Sequence, residues 1–307
     1  MTFGEKRFNK KLDRIRRLEE EGVLAKKKKG NRALSKFLSN KLAVLGLVIF
    51  LIIFLACLFA PLLTPYRPEA VDLTNLLKSP SLEHPFGTDK VGRDLFARVL
   101  YGGRISMLVA CGGALGGALI GVLVGSLAGY RGGWLDKITM RLSEVFMSFP
   151  QLILVLVMVT IMGQSTRNII IIFVITGWSG IYRQARAAML SIREEEYVQA
   201  LHAFGLNDAL ICFKHMLPNA LSPIIVNITI NIAAFILEEA SLSFLGLGVP
   251  MEVATWGNIL NASQDMYTLQ NAWWIWLPVG IVISLFVMSI NFVGDGVRDT
   301  TDSSIQG

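Results

Sequence analysis

The sequence predicts an all-α protein that crosses a membrane several times, and three observations lead to this fold class. Of its 307 residues, 53% are hydrophobic and 17% are charged, which is more apolar than a soluble core of this length requires. The apolar residues form runs of about 20, the length that a helix needs to cross a bilayer. Basic residues are concentrated before the first run. A single transmembrane domain is expected.

Six apolar runs are predicted to be transmembrane helices. They lie at residues 42–63, 105–128, 138–162, 169–190, 221–247 and 273–293. An even number of spans places both termini on the same side of the cell membrane. Fourteen Lys or Arg residues lie before position 42, and they indicate that this side is cytosolic. The expected organisation is a basic cytosolic arm at 1–41, a transmembrane domain at 42–299 and a cytosolic tail at 300–307.

The arm is predicted to end in a short amphipathic helix on the inner membrane surface. Leu34, Phe37 and Leu38 supply its apolar face, and Lys36 and Lys41 supply positive charge. Anionic lipids of the inner leaflet account for the basic residues without nucleic acid.

A glycine ladder in the second predicted span indicates close helix packing. Gly113, Gly117, Gly121 and Gly125 recur at every fourth position, so they lie on one stripe of a helix. Small residues on one stripe allow a second backbone to approach closely inside a membrane. The second span is therefore expected to be central.

Polar residues in the fifth predicted span form a stripe as well. Asn227, Asn231 and Glu238 are spaced by four and seven residues, which places them on one helix face. They either line a solute pathway or bond to a neighbouring helix. Glu238 and Glu239 are expected near the outer end of this helix, where an ionised carboxylate costs less to place.

A polar segment at residues 197–223 is predicted to form a helix-turn-helix in a cytosolic loop. Ser191 with Glu194 has capping-box spacing, Gly205 suits a left-handed turn, and Asn207 suits the start of a second helix. Pro218 is expected to interrupt that second helix before the next span. Its apolar contacts are predicted to be Leu210, Ile211, Phe213 and Leu217.

Sequence motifs for chemistry point away from an enzyme. The string from Gly177 to Gly180 resembles that of intramembrane serine proteases, but every histidine falls in a predicted loop, too far from Ser179 to act as its base. A phosphate-binding loop and metal-ligand spacing are both missing from the sequence. We therefore expect no catalytic residue and no metal site.

The cytosolic segment resembles the loop of ABC importer permeases that follows the pattern Glu-Ala-Ala, three residues, Gly, nine residues, Ile, one residue, Leu-Pro. The positions that match are Ala200, Gly205, Leu217 and Pro218, and those that depart are Gln199, Leu201 and His215. Other strings resemble the oligopeptide and dipeptide permeases: 84–89, 92–94, 101–106, 239–248, 256–258 and 294–299. Together they identify the C-type permease subunit.

This resemblance implies a type I ABC importer permease fold and a non-catalytic subunit. The expected partners are a B-type permease subunit, two cytosolic ATPases that bind ATP and Mg, and an extracytoplasmic solute-binding protein. Residues 199, 200, 205, 210, 213, 215, 217 and 218 are expected to couple the chain to the ATPases. The alternative from another class is an ion-coupled secondary transporter or channel.

Overall fold

The computed structural model describes residues 29–302, with the side chains of residues 34–300, and this part of the chain is almost wholly helical. Most of the predicted basic arm and the last five residues lie outside it. The α-helices, in order, are α1 (Lys29–Ser39), α2 (Lys41–Leu58), α3 (Ala60–Leu63), α4 (Leu95–Arg131), α5 (Gly133–Met147), α6 (Gln151–Met162), α7 (Thr166–Arg193), α8 (Glu196–Ala203), α9 (Asp208–Leu210), α10 (Leu217–Phe244), α11 (Trp256–Asn261), α12 (Met266–Asn271) and α13 (Trp273–Asp302). A π-helical turn, Ile211–Met216, joins α9 to α10.

Four helical segments of the described chain are long and apolar enough to cross a membrane. They are Lys41–Leu58, Leu95–Arg131, Asp208–Phe244 and Trp273–Thr300, at the first, second, fifth and sixth predicted spans. A bent helix pair raises the number to five, against the six predicted. The fourth predicted span lies in α7, which is long enough at 28 residues but contains Arg183, Arg186 and Arg193 in its C-terminal half.

The third predicted span is not one straight helix. α5 ends at Met147 and α6 begins at Gln151, with a bend of 90° between them. Pro150 lies at the break, where its φ of −56° and ψ of 126° leave the helical region, and a proline at this position has no amide hydrogen to continue the helical hydrogen bonds. The apolar run alone did not reveal this bend, so the prediction of a single helix over 138–162 was wrong.

The central pair of the bundle is α4 against α7. A Cβ on Gly113 would lie 2.4 Å from Phe173 Cβ, and one on Gly125 would lie 2.5 Å from the carbonyl oxygen of Tyr182. The ladder therefore faces α7 along its length. α4 has 37 residues and is about 55 Å long, so it is longer than a typical membrane core of about 30 Å is thick.

The N-terminal helices pack on the last helix. Asn40 caps α2, accepting from the amide nitrogens of Leu42 (3.1 Å) and Ala43 (3.2 Å), and its Nδ2 donates to Asp299 at 2.9 Å. A Cβ on Gly296 of α13 would lie 2.8 Å from the ring of Phe37. These contacts hold α1 and α2 beside the C-terminal part of α13.

Candidate functional site

A knob, defined here as residues 194–218, joins α7 to α10 at one end of the bundle. Between its two helices, Gly205 has a φ of +72°. The amide of Gly205 donates to the carbonyl of His202 at 2.9 Å, and the amide of Leu206 donates to that of Leu201 at 3.3 Å. Glycine commonly adopts this left-handed conformation after a helix, because it has no Cβ that would clash with the backbone.

The starts of the two knob helices follow different rules. Asn207 caps α9, its Oδ1 accepting from the amide of Ala209 at 2.8 Å. Ser191, predicted as a cap, instead lies within α7, and α8 begins at Glu196. The predicted capping box is therefore wrong. Tertiary packing overrides it, because α7 continues far enough to bury Ile192.

Pro218 does not end the second helix of the knob. The helix runs from Asp208 through Phe244 as one segment, and the turn before the proline is π-helical. In this turn the amide of Leu217 donates to the carbonyl of Cys212, five residues back. The wider turn accommodates a residue that lacks an amide hydrogen and would clash in a regular helix. The predicted interruption is thus replaced by a continuous connection into α10.

The inner face of the knob packs against α4 and α7. Four of its side chains are fully buried: Val198, Ile211, Cys212 and Met216. They belong to one apolar cluster with residues of the neighbouring helices, among them Tyr130, Ala185 and Met189. The knob is therefore a firm part of the bundle rather than a flexible loop tip.

The outer face of the knob exposes large apolar side chains, among them Phe204 and Leu210. Phe204 is 82% exposed and Leu210 is 41% exposed, and Gln199 and Ala200 are exposed near them. Other predicted partner contacts are turned inward: Ile211 is buried, and Phe213 and Leu217 are half-buried against the cluster of the inner face. His215 is half-buried, and Pro218 is exposed. Sequence reasoning missed Phe204, although its place beside Gly205 at the turn could have indicated it.

The polar stripe of α10 divides between bonded and open side chains. Asn227 donates to the carbonyl of Pro223 in its own helix at 3.2 Å, and Glu238 accepts from Gln151 Nε2 of α6 at 3.0 Å. Within the described residues, the side chain of Asn231 makes no hydrogen bond and is half-buried. The stripe therefore ties α10 to the bent helix pair at one point and leaves an amide group open at another.

A buried polar network joins three helices near the end opposite the knob. Ser106 of α4 donates to Glu239 at 2.9 Å, Ser243 donates to the same carboxylate at 2.8 Å, and the amide of Trp256 donates to Ser106 at 3.1 Å. Glu239 is 0% exposed. Glu239 does lie near the end of α10 that is opposite the knob, but protein encloses its side chain, so the expectation that a carboxylate costs little there was wrong. Adjacent positions on one helix have different environments, since Glu238 remains half-buried.

Glycines allow the helices to meet at this network. A Cβ on Gly103 would lie 2.8 Å from the Trp256 ring, and one on Gly257 would lie 2.8 Å from Ala240 Cα. The network thus brings together the strings 101–106, 239–248 and 256–258. Each string is recognisable in the sequence, but the contact between them is a property of the fold. The sequence signal that could have predicted this contact is the occurrence of small residues next to Ser or Glu in these strings.

The segment before α4 is held by its own polar contacts. His84 Nδ1 lies 2.8 Å from Asp94, whose other oxygen accepts from the amide of Ala97 and caps α4. Asp89 accepts from Arg93 Nε at 2.7 Å. No group of three possible ligands suited to a metal ion occurs in the residues that the structure describes. The arrangement is a hydrogen-bonded turn, which positions the start of α4.

Asp265 links two segments at the same end. It accepts from Thr268 Oγ1 at 2.7 Å and from Lys90 Nζ at 2.9 Å, and these hydrogen bonds lower the pKa of Asp265 to about 2. A carboxylate with a lowered pKa stabilises the fold above its unfolded pKa, and this stabilisation is lost as the pH falls toward 2. Because both side chains are nearly half exposed, the pair adds little to stability.

Comparison with known proteins identifies the family. Residues 121–306 match the model described as the binding-protein-dependent transport system inner membrane component, and residues 30–80 match the N-terminal transmembrane domain of oligopeptide transport permease C. The chain therefore belongs to the family of inner membrane components of binding-protein-dependent transport systems, which confirms the resemblance found in the sequence.

Individual relatives cover nearly the whole chain. A proposed peptide permease protein of Brucella suis biovar 1 (strain 1330) is 41% identical over 271 residues, 88% of this chain and 90% of that protein. The dipeptide transport system permease protein DppC of Alkalihalophilus pseudofirmus is 39% identical over 274 residues, 89% of this chain and 90% of that protein. The oligopeptide transport system permease protein OppC of Bacillus subtilis is 38% identical over 274 residues, 89% of each chain.

A solved structure confirms the fold class. A chain from inward-facing conformations of the MetNI methionine ABC transporter aligns with a TM-score of 0.55 and 23% identity, covering 66% of this chain and 96% of that chain. The all-α, multi-span architecture is therefore that of an ABC importer permease.

Proposed function

We propose that this chain forms half of the translocation pathway of an ATP-driven importer of oligopeptides or dipeptides, and that the knob is its contact with the motor. The names of the DppC and OppC relatives support the choice of solute. The single observation that carries the coupling role is the knob itself, whose inner face is buried in the bundle while Phe204 stays exposed.

The proposed complex contains the partners that the sequence implied. A B-type permease subunit completes the pathway, two cytosolic ATPases bind ATP and Mg, and an extracytoplasmic binding protein delivers the solute. The basic residues before position 42 support a cytosolic location for both termini and for the knob. In this orientation the Glu239 network lies toward the outer face.

The short helix α1 fits a place on the inner membrane surface. Leu34 and Leu38 are 60% and 56% exposed, and Lys36 and Lys41 are exposed near them. Apolar side chains next to lysines suit the boundary between lipid tails and anionic headgroups. We assign α1 an anchoring role beside α2.

Phe204→Asp is expected to reduce copurification of the ATPase subunits with the permease by at least about tenfold. Burial of one phenylalanine is worth about 1.5–3 kcal/mol, and a carboxylate in the same groove adds a desolvation cost. Because Phe204 is 82% exposed, the substitution leaves the fold of this chain intact. The measurement is the ratio of ATPase to permease after affinity purification of the complex.

Tyr267→Asp is the matched control. Tyr267 is 62% exposed at the opposite end of the spans, so this change should leave the ATPase ratio unaltered. Full ATPase recovery with Phe204→Asp would contradict the coupling role. Solute transport by the chain alone in liposomes under an ion gradient would instead support the secondary transporter.

Asn231→Leu is expected to change solute uptake several-fold and to leave ATPase binding unchanged. The open amide of Asn231 has no partner in the described chain, so its loss removes a polar group from the proposed pathway without breaking a hydrogen bond. Uptake of several peptides by the reconstituted transporter is the measurement. Uptake that equals the wild-type value for all of them would assign the stripe to helix packing.

A further inference from the structure

Tyr130, near the C-terminal end of α4, contacts both sides of the turn in the knob. Its hydroxyl donates to Asp208 Oδ1 at 2.9 Å and lies 3.1 Å from His202 Nε2. His202 belongs to α8, before Gly205, and Asp208 begins α9, after it. One hydroxyl group therefore joins the two knob helices to each other and to α4.

The ring of Tyr130 also contacts His202, in addition to the hydrogen bonds of its hydroxyl. It is stacked on the His202 ring, with centroids 5.8 Å apart and planes 6° apart, and Tyr130 is 6% exposed. The hydroxyl can donate to Asp208 and accept from His202 when the imidazole proton is on Nε2. The direct His202 to Asp208 distance of 3.9 Å is longer, and both side chains are about half exposed, so that pair contributes little.

The chain connects the knob only to α7 and α10, so α4 is attached to it by contacts alone. Most of those contacts are apolar and would permit small sliding movements, since burial has no preferred direction. The two polar contacts of Tyr130 define one register between α4 and the turn. From there α4 packs along α7 through its glycines and reaches the Glu239 network through Ser106.

We propose that Tyr130 is a positioning residue that transmits movement of the knob into α4 and so to the opposite end of the bundle. This inference rests on the proposed coupling function of the knob. It adds a third, non-covalent route to the two covalent connections, through the helix that spans both ends.

Tyr130→Phe tests the role of the hydroxyl while keeping the ring. In the assembled transporter with its ATPases, B-type subunit and binding protein, we expect normal subunit ratios and normal basal ATP hydrolysis. Solute transported per ATP hydrolysed should fall about 2- to 10-fold, the range expected for loss of one or two hydrogen bonds. Asp208→Leu should lower this ratio of transport to hydrolysis in the same way. Asp208→Asn should keep the ratio near its wild-type value, because the amide oxygen can still accept the hydrogen bond from Tyr130.

Tyr182→Phe is the matched control, because it also removes the hydroxyl of a buried tyrosine. Tyr182 is also buried, but its hydroxyl lies 2.8 Å from Thr139 Oγ1 of α5 and not near the knob, so the transport ratio should not change. An unchanged ratio with Tyr130→Phe, with the ATPases still bound, would overturn this inference and leave the coupling function intact. Loss of ATPase binding in Tyr130→Phe would overturn it too, by making Tyr130 part of the docking surface. Failure of the wild-type chain to bind ATPases would overturn the proposed function.

Discussion

Gly121→Leu is expected to prevent α4 and α7 from packing and to leave little folded protein after extraction from the membrane. A Cβ at this position would lie 2.7 Å from the carbonyl oxygen of Trp178, 2.9 Å from the amide nitrogen of Tyr182 and 3.0 Å from Ile181 Cβ. Two of these atoms are backbone, so no rotamer change can remove the conflict. Overpacking typically costs about 1–3 kcal/mol, and a whole leucine against backbone should exceed that range.

The fraction of detergent-extracted protein that stays monodisperse after heating measures this effect. The heat resistance of Gly121→Ala should be intermediate, because its single methyl group already clashes with the backbone of α7. Gly180→Leu is the control on the opposing helix, since a Cβ there meets no atom of the described chain within 4 Å. Equal heat resistance of Gly121→Leu and Gly180→Leu would show that the helix pair does not depend on the ladder.

Glu239→Leu is expected to destabilise the protein by about 2–6 kcal/mol, because the hydroxyls of Ser106 and Ser243 lose their acceptor while still buried. An unsatisfied buried group costs more than an absent one. Ser106 would still accept from the amide of Trp256, so α11 should remain in place while the contact between α4 and α10 weakens. The measurement is again the fraction of detergent-extracted protein that stays monodisperse after heating, here followed over a range of temperatures.

Two further variants separate the hydrogen bonds from the packing. Glu239→Gln keeps an acceptor and should lose less stability. The double substitution Glu239→Leu with Ser243→Ala removes one orphaned hydroxyl and should regain part of the loss. If the double variant were no more stable than Glu239→Leu alone, the cost would come from the shape of the buried site and not from its unsatisfied polar groups.

Features that depend on neighbouring residues in the sequence could be predicted, and several were. The apolar runs predicted four segments that are long and apolar enough to cross a membrane, and Asn207 has the cap bond expected from its position. The family of the chain was also identified from its motifs. These features are local because helix formation, capping and membrane insertion depend on residues a few positions apart.

Other features could not be predicted because they depend on what packs nearby. Phe213 and Phe204 are both aromatic and lie in the same loop, yet one is half-buried against α4 and α7 and the other is 82% exposed. Ser191 had good capping-box spacing but lies inside α7. In each case the packing of α7 and the knob decided the result, and residue spacing contains no information on that packing.

The sequence by itself determined the membrane class of this protein, the location of four of its membrane-length helices and the glycine stripe on α4, because apolar length and helical period are properties of the chain. Only the tertiary structure decided which of the predicted side chains are buried and which residues they contact. It bent the third span at Pro150, placed Glu239 among hydroxyl groups and set Tyr130 against both sides of the Gly205 turn. The contacts of Ser106 with Glu239 and of Tyr130 with Asp208 join residues 133 and 78 positions apart, and only folding brings such residues together.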